Sequence, residues 1–277
     1  GVDLSVLPPD EAYQLLTSRR SPPNDAEREQ ARLLAEDLGR HALALDVTGA
    51  ALASFGEAEP YRSFRAELKR KDKDALDLAE TLADALPNGH EASIAQTLLC
   101  SIRNLGAEAR GFLRLASVLA VAPIPASLVT AVFEKADNSE HGDAQWREAQ
   151  AFRQVTAASL AEVAGEKADM RSVHTLVSLA VRFRDREPER TKALRVAAVE
   201  ALAAEIAKAA EDIRLHQGIE FHVAHAREIT LTPATVPEAN LLAWVARYDL
   251  ERAAYASARA LYSREVEFRR RVLGPEH

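Results

Sequence analysis

Leu160-Ala161-Glu162-Val163-Ala164-Gly165-Glu166-Lys167-Ala168-Asp169-Met170-Arg171-Ser172-Val173-His174 is the stretch that sets this chain apart from a plain helical bundle. Leu160 to Ala164 and Asp169 to Val173 flank a turn at Gly165-Glu166-Lys167, and the pair reads as a short β-hairpin. No other segment shows strand-like alternation. Outside the hairpin, apolar residues recur at steps of three and four, the helical period. Ala makes up about a fifth of the 277 residues, against 11 Gly and 12 Pro, so good helix formers greatly outnumber breakers. The expected fold class is all-α, with at most this one hairpin.

Working towards the N-terminus, Ala144 to Ser159 reads as a helix, Lys135 to Asp143 as a polar loop, and Ala126 to Glu134 as a short helix. Val121-Ala122-Pro123-Ile124-Pro125 must break helix, because proline lacks an amide hydrogen. Phe112, Leu115 and Leu119 form one apolar stripe, and Ile94, Leu98, Ile102 and Leu105 another. Pro87-Asn88-Gly89 reads as a turn. Before it come helices at Asp10–Ser18, Ala26–Leu38, Ala42–Ser54, Tyr61–Lys69 and Asp74–Leu86. The third is apolar on nearly every side, which predicts burial. Towards the C-terminus, helix resumes from His174 to Arg186. Val199, Leu202, Ile206, Ala209 and Ile213 make a long stripe, and Gly218 to Ile229 is a further helix. Leu231 to Pro237 is a loop, and Glu238–Leu250 and Tyr255–Leu273 close the chain as a helical pair. Helices followed by a hairpin and another helix are the pattern of a winged helix-turn-helix.

Composition narrows the function classes. The charge sum is −7, and no basic stripe runs along any helix, which argues against generic nucleic-acid binding. No apolar run reaches membrane-spanning length. The start, Gly1 to Pro8, lacks the pattern of a signal peptide. The single cysteine, Cys100, allows no internal disulfide and reads as a small core residue of a protein from a reducing compartment, with a cytoplasmic location as the expectation. No GxxxxGK[ST] loop occurs, so these residues carry no evident means of ATP hydrolysis and no catalytic residue is assigned. His222 and His225, three apart with His216 and Glu220 nearby, could share a helix face as metal ligands. Too few donors accompany them, so two packed or surface histidines is the favoured reading and no metal is assigned. Arg264 and Arg269-Arg270-Arg271 are partly neutralised by Glu265 and Glu267 and read as a solvated helix face.

Three features, in order, resemble one family. Leu38-Gly39-Arg40-His41-Ala42-Leu43-Ala44-Leu45 looks like the GLPLAL motif of the helical domain that follows the nucleotide core in NB-ARC proteins, a branch of the STAND NTPases; the family's proline is Ala42 here. Val173-His174-Thr175-Leu176-Val177 is similar to the MHD motif of the family's winged helix, in the VHxLV form. Leu242 to His277 resembles one tetratricopeptide repeat, with Val245, Ala246, Tyr255, Ala258 and Tyr262 at its packing positions and Ala246 and Ala253 where glycines are common.

The resemblance implies a helical domain at 1–88, a winged helix at 89–187, a connector at 188–236 and a first repeat at 237–277. It implies a regulatory and interaction segment of a nucleotide switch. Its phosphate loop would lie in an upstream domain, and the repeats would sense a protein ligand. The intact protein would bind ADP or ATP and form a homo-oligomer on activation. His174 would reach the ADP β-phosphate; the alternative is a histidine that only stabilises the helix start. The competing function class is a winged-helix DNA-binding regulator, reading DNA through Trp146–Ser159 or Ala126–Glu134.

Overall fold

The computed structural model describes residues 6–54, 56–69, 73–82, 90–183, 185–211, 213–216 and 218–274. The chain is mainly helical, with fourteen α-helices and one small three-stranded sheet among the described residues. It divides into two compact units that share the middle of the sequence. The first holds 1–106, 153–162 and 174–184, and the second 107–152, 163–173 and 185–277. The stretch 89–187 is therefore distributed over both units.

The first unit opens with α1 (Pro9–Thr17), α2 (Asp25–Asp37) and α3 (Ala42–Ala53). Seven of the twelve α3 residues are buried, including Leu45, Val47 and Leu52, as its all-round apolar sequence requires. Gly49 lets α1 approach closely: a Cβ there would stand 3.0 Å from the Leu16 carbonyl oxygen. Gly39, between α2 and α3, has φ +62°, and a Cβ would stand 2.7 Å from the His90 ring. Glycine satisfies both demands at once.

Next come α4 (Pro60–Lys69), α5 (Lys73–Leu82) and α6 (Glu91–Arg103). The expected end of α5 at Leu86 and the turn at Pro87-Asn88-Gly89 lie outside the described residues. Glu27 joins α2 to α4. Its backbone N–H donates to the N-cap Asn24 Oδ1 at 2.9 Å, and its Oε2 accepts from the Tyr61 N–H at 2.7 Å. The carboxylate thus serves an unpaired amide in the first turn of α4 while itself 0% exposed. The Tyr61 hydroxyl donates to the Arg20 carbonyl.

Later parts of the chain complete this unit. Arg19 donates to the Ala157 carbonyl at 3.1 Å, to Ser159 Oγ at 2.7 Å and to Asp46 at 3.0 Å. The Gly106 N–H donates to Gln154 Oε1 at 2.9 Å. The short helix α10, numbered by its place in the chain (Thr175–Arg182), packs on α5 and α6. It ends four residues before the expected Arg186, where Phe183 turns extended with ψ 114°.

The second unit begins with α7 (Ala107–Val118), β1 (Ile124–Pro125), α8 (Ala126–Asp137) and α9 (His141–Ala157, of which the last five residues belong to the first unit). β2 (Ala161–Ala164, of which the first two residues belong to the first unit) and β3 (Met170–Val173) form the hairpin, and the sheet order is β1-β3-β2. β1 is an addition to the expected single hairpin. It pairs antiparallel with β3, Ile124 opposite Arg171 and Pro125 opposite Met170. Its edge position tolerates Pro125, which has no ladder amide to give. The polar loop expected at Lys135–Asp143 shrinks to three residues. Asn138 closes α8 in a left-handed conformation at φ +49°, which asparagine adopts more readily than most residues. Asp137 is then held by Arg147 at 2.7 Å and by Arg190.

The remaining helices are α11 (Pro188–Glu211), α12 (Glu220–Ile229), α13 (Val236–Glu251) and α14 (Tyr255–Leu273). The long α11 is the spine of this unit, packing on α7, α8, α12 and α13 through a stripe that includes Val199, Leu202, Ile206 and Ala209. Thr235 and Glu238 cap α13, and Glu238 also pairs with Arg195 on α11 at 2.8 Å.

The α13–α14 pair shows the buried seam expected from the sequence, with one correction. Leu242, Val245, Ala246 and Ala258 are at most 2% exposed, but Tyr255 is 66% exposed. The α14 seam continues instead through Leu261, Glu265 and Phe268, which repeat the three-and-four step from Ala258. Ala258→Arg should overpack this seam and cost about 1–3 kcal/mol. Urea unfolding of the two proteins checks this; an unchanged midpoint would mean the seam yields without strain.

Candidate functional site

His174 follows β3 directly and is the N-cap of α10, with φ −66° and ψ 143°. Its Nδ1 accepts from the Leu176 N–H at 3.2 Å. An accepting Nδ1 carries no proton, so the neutral ring holds its hydrogen on Nε2. Nε2 has no acceptor among the described residues. The residue is exposed by surface area. Partial burial lowers the His174 pKa below the usual 6.5, and the nearby Glu162 carboxylate opposes that shift only in part. At neutral pH His174 is an uncharged donor at the positive end of a helix.

The GLPLAL-like segment is structural in its described contacts. Leu38 and Leu45 are fully buried, His41 is 8% exposed, and the Arg40 carbonyl accepts from the Leu7 N–H at 2.9 Å.

His222 and His225 are both buried on α12, and no group of three or more metal-ligating side chains occurs among the described residues. His225 Nε2 donates to the Pro123 carbonyl at 3.1 Å, and His216 Nε2 to the Ala209 carbonyl at 3.0 Å. Each therefore anchors a backbone carbonyl. Burial, reinforced by the neighbouring His222, pushes the His225 pKa down to about 4. The Arg264 and Arg269–Arg271 run is tied down rather than wholly solvated. Arg264 donates to the Thr230 carbonyl at 2.6 Å, closing the C-terminal end of α12. Arg269 bonds Asn240 at 2.8 Å and also pairs with Glu265.

The first unit also contains a cavity of about 680 Å³ that the sequence reading missed. α3, α4, α6 and the 154–158 segment line it. On α6 the side facing it carries Gln96, Thr97, Cys100, Ser101 and Asn104, spaced at i, i+1, i+4, i+5 and i+8. Such a polar stripe, beside the Ile94 and Leu98 stripe, ordinarily marks a solvent face. Here Gln96, Thr97 and Ser101 are at most 9% exposed. Cys100, expected in the core, is half-buried in the cavity wall. A small cavity in the second unit is ringed by Arg110, Arg114, Arg147 and Arg190 together with Glu108, Asp137 and Glu187. Arg114 pairs with Asp185 and Glu187, and Arg147 with Glu108 and Asp137, so this cluster is an internal ion network.

No protein-family model matches the chain, and no curated protein matches it in sequence. Among the described residues no helix is long and apolar enough to cross a membrane.

Proposed function

We propose that the chain is the regulatory and interaction segment of a nucleotide switch of the NB-ARC type, whose phosphate loop belongs to polypeptide outside these 277 residues. The observation that carries this reading is the setting of His174. It stands where a hairpin strand hands over to a helix, with Nδ1 committed to the helix start and the Nε2 hydrogen left for an outside acceptor. A diphosphate supplied by the nucleotide core is such an acceptor, and the helix N-terminus adds to the attraction.

Two further features support the reading. The order α7-β1-α8-α9-β2-β3, with sheet order β1-β3-β2, is compatible with the winged-helix resemblance. In the α13–α14 pair, Ala253 has φ +59° at a position where the tetratricopeptide repeat commonly carries glycine, and Ala246 and Ala258 are buried at its close-packed positions. On this reading the segment is not catalytic. It clamps ADP in the closed state and presents helical hairpins to a protein partner. Trigger binding then shifts the two-state equilibrium, with assembly into an oligomer.

The DNA-binding alternative has less support. On α9, Arg147 is engaged by Glu108 and Asp137, and Trp146 stands exposed beside it. Salt-sensitive binding of this chain to duplex DNA would favour that alternative.

The test of the switch is the full-length gene product with His174→Ala. Losing one hydrogen bond to a charged phosphate should speed ADP release about tenfold and raise the oligomeric fraction without the trigger. Equal ADP retention and an unchanged assembly state would leave His174 a helix cap only.

A further inference from the structure

The cavity of the first unit has a size and a lining from which the chemistry of an occupant can be argued. Its volume of about 680 Å³ falls within the usual range for small-molecule pockets. One wall is apolar: Val47 and Ala50 from α3, and Phe64 and Leu68 from α4. The polar stripe of α6 supplies much of the rest of the lining. Within it Gln96 is only 6% exposed, its Nε2 lies 3.4 Å from Cys100 Sγ, and its Oε1 has no hydrogen-bond partner. A buried amide oxygen without a donor is a costly feature in a folded protein. Thr97 does not share the problem, because its hydroxyl donates to the Ser93 carbonyl at 3.0 Å. Gln154 is likewise committed, to the Gly106 N–H. Gln96 Oε1 is thus the one lining side-chain atom, among the described residues, that is fully buried without a hydrogen-bond partner.

Charge supplies the second constraint. Among the described residues Glu67 is the one charged residue of the lining, and no lysine or arginine contributes to it. An anion would enter a low-dielectric pocket with no cation to meet it and a carboxylate at the wall. Fatty acids, phosphates and nucleotides are therefore the wrong chemistry. We infer that this cavity binds a neutral or cationic small molecule with an apolar body and an N–H donor, an alkyl or aryl amide or amine, whose donor satisfies Gln96 Oε1 while its body lies against Phe64 and Leu68. The site is separate from His174 and does not depend on the switch reading.

Three probes of equal chain length test it: octanamide, octylamine and octanoate, titrated calorimetrically into the purified chain. Cys100, the single cysteine, lines the cavity and gives a second readout through its rate of alkylation by N-ethylmaleimide. The amide and the amine should bind and slow alkylation, and octanoate should bind about tenfold more weakly or worse. Gln96→Leu removes the acceptor at similar size. It should weaken octanamide binding about tenfold while leaving the melting temperature equal or higher. If Gln96→Leu fails to fold, the amide-to-carboxylate ratio and the Cys100 protection still decide. The inference falls if octanoate binds as well as octanamide, if no probe binds at millimolar concentration, or if folded Gln96→Leu binds octanamide as tightly as the natural sequence.

Discussion

Between pH 6.5 and about 4 the protein should lose about 3 kcal/mol of stability through His225 alone. In the unfolded chain this imidazole takes up its proton near 6.5, but in the folded protein only near 4. Over that interval the unfolded state binds more protons, so stability falls as the pH falls. Above 6.5 the contribution is complete. The physical cause is burial: His225 is 0% exposed, its Nε2 is bonded to the Pro123 carbonyl and its Nδ1 has no partner. A second proton would place a charge at Nδ1 with nothing to receive it. His222, one turn away and also shifted down by burial, acts in the same direction. Urea unfolding from pH 7 down to pH 5 should show the decline. His225→Gln, whose amide can still donate to Pro123 but does not titrate, should flatten it. A His225→Gln slope equal to that of the natural sequence would show that other groups drive the acid sensitivity.

The second large effect is at Glu27. Replacing it with alanine removes the acceptor of the Tyr61 amide and opens space among α2 and α4, at a cost of about 3 kcal/mol. Glu27→Gln keeps an oxygen for that amide and should cost well under half as much. The comparison separates hydrogen bonding from simple bulk. The measurement is chemical denaturation of the three proteins at neutral pH. Tyr61 is itself fully buried, and burial is the chief cause that pushes its hydroxyl pKa up to about 12. Equal midpoints for Glu27→Ala and the natural sequence would mean that the Tyr61 amide finds another partner at no cost.

Helix positions were largely legible, because stripes such as Val199, Leu202, Ile206 and Ala209 record burial directly in the spacing of apolar residues. The hairpin was legible from its turn and the alternation around it. β1 was not, because two residues carry no period, and both of its ladder partners lie more than forty residues away. Tyr255 misled because aromatic character at a repeat position suggested packing, whereas the seam of α14 follows Ala258, Leu261, Glu265 and Phe268. Glu27 looked like an ordinary acidic residue in a first helical turn. Its role depends on where Tyr61 arrives, which local sequence does not encode. The α6 stripe failed for the opposite reason: polar residues at helical spacing fit a solvated face as well as a cavity wall. Only the three-dimensional placement of Gln96 distinguishes the two.

The interleaving of the two units has a consequence for how the protein is made. As the chain leaves the ribosome, residues 1–106 emerge as an incomplete body. Arg19 must wait for Ala157 and Ser159, and the Gly106 amide for Gln154, before their bonds can form. α5 and α6 wait longer still, for α10. The first unit therefore closes only after residues 174–184 have been made, so a nascent chain stalled before residue 153 leaves Arg19 and the Gly106 amide without these partners and should expose surfaces that chaperones recognise.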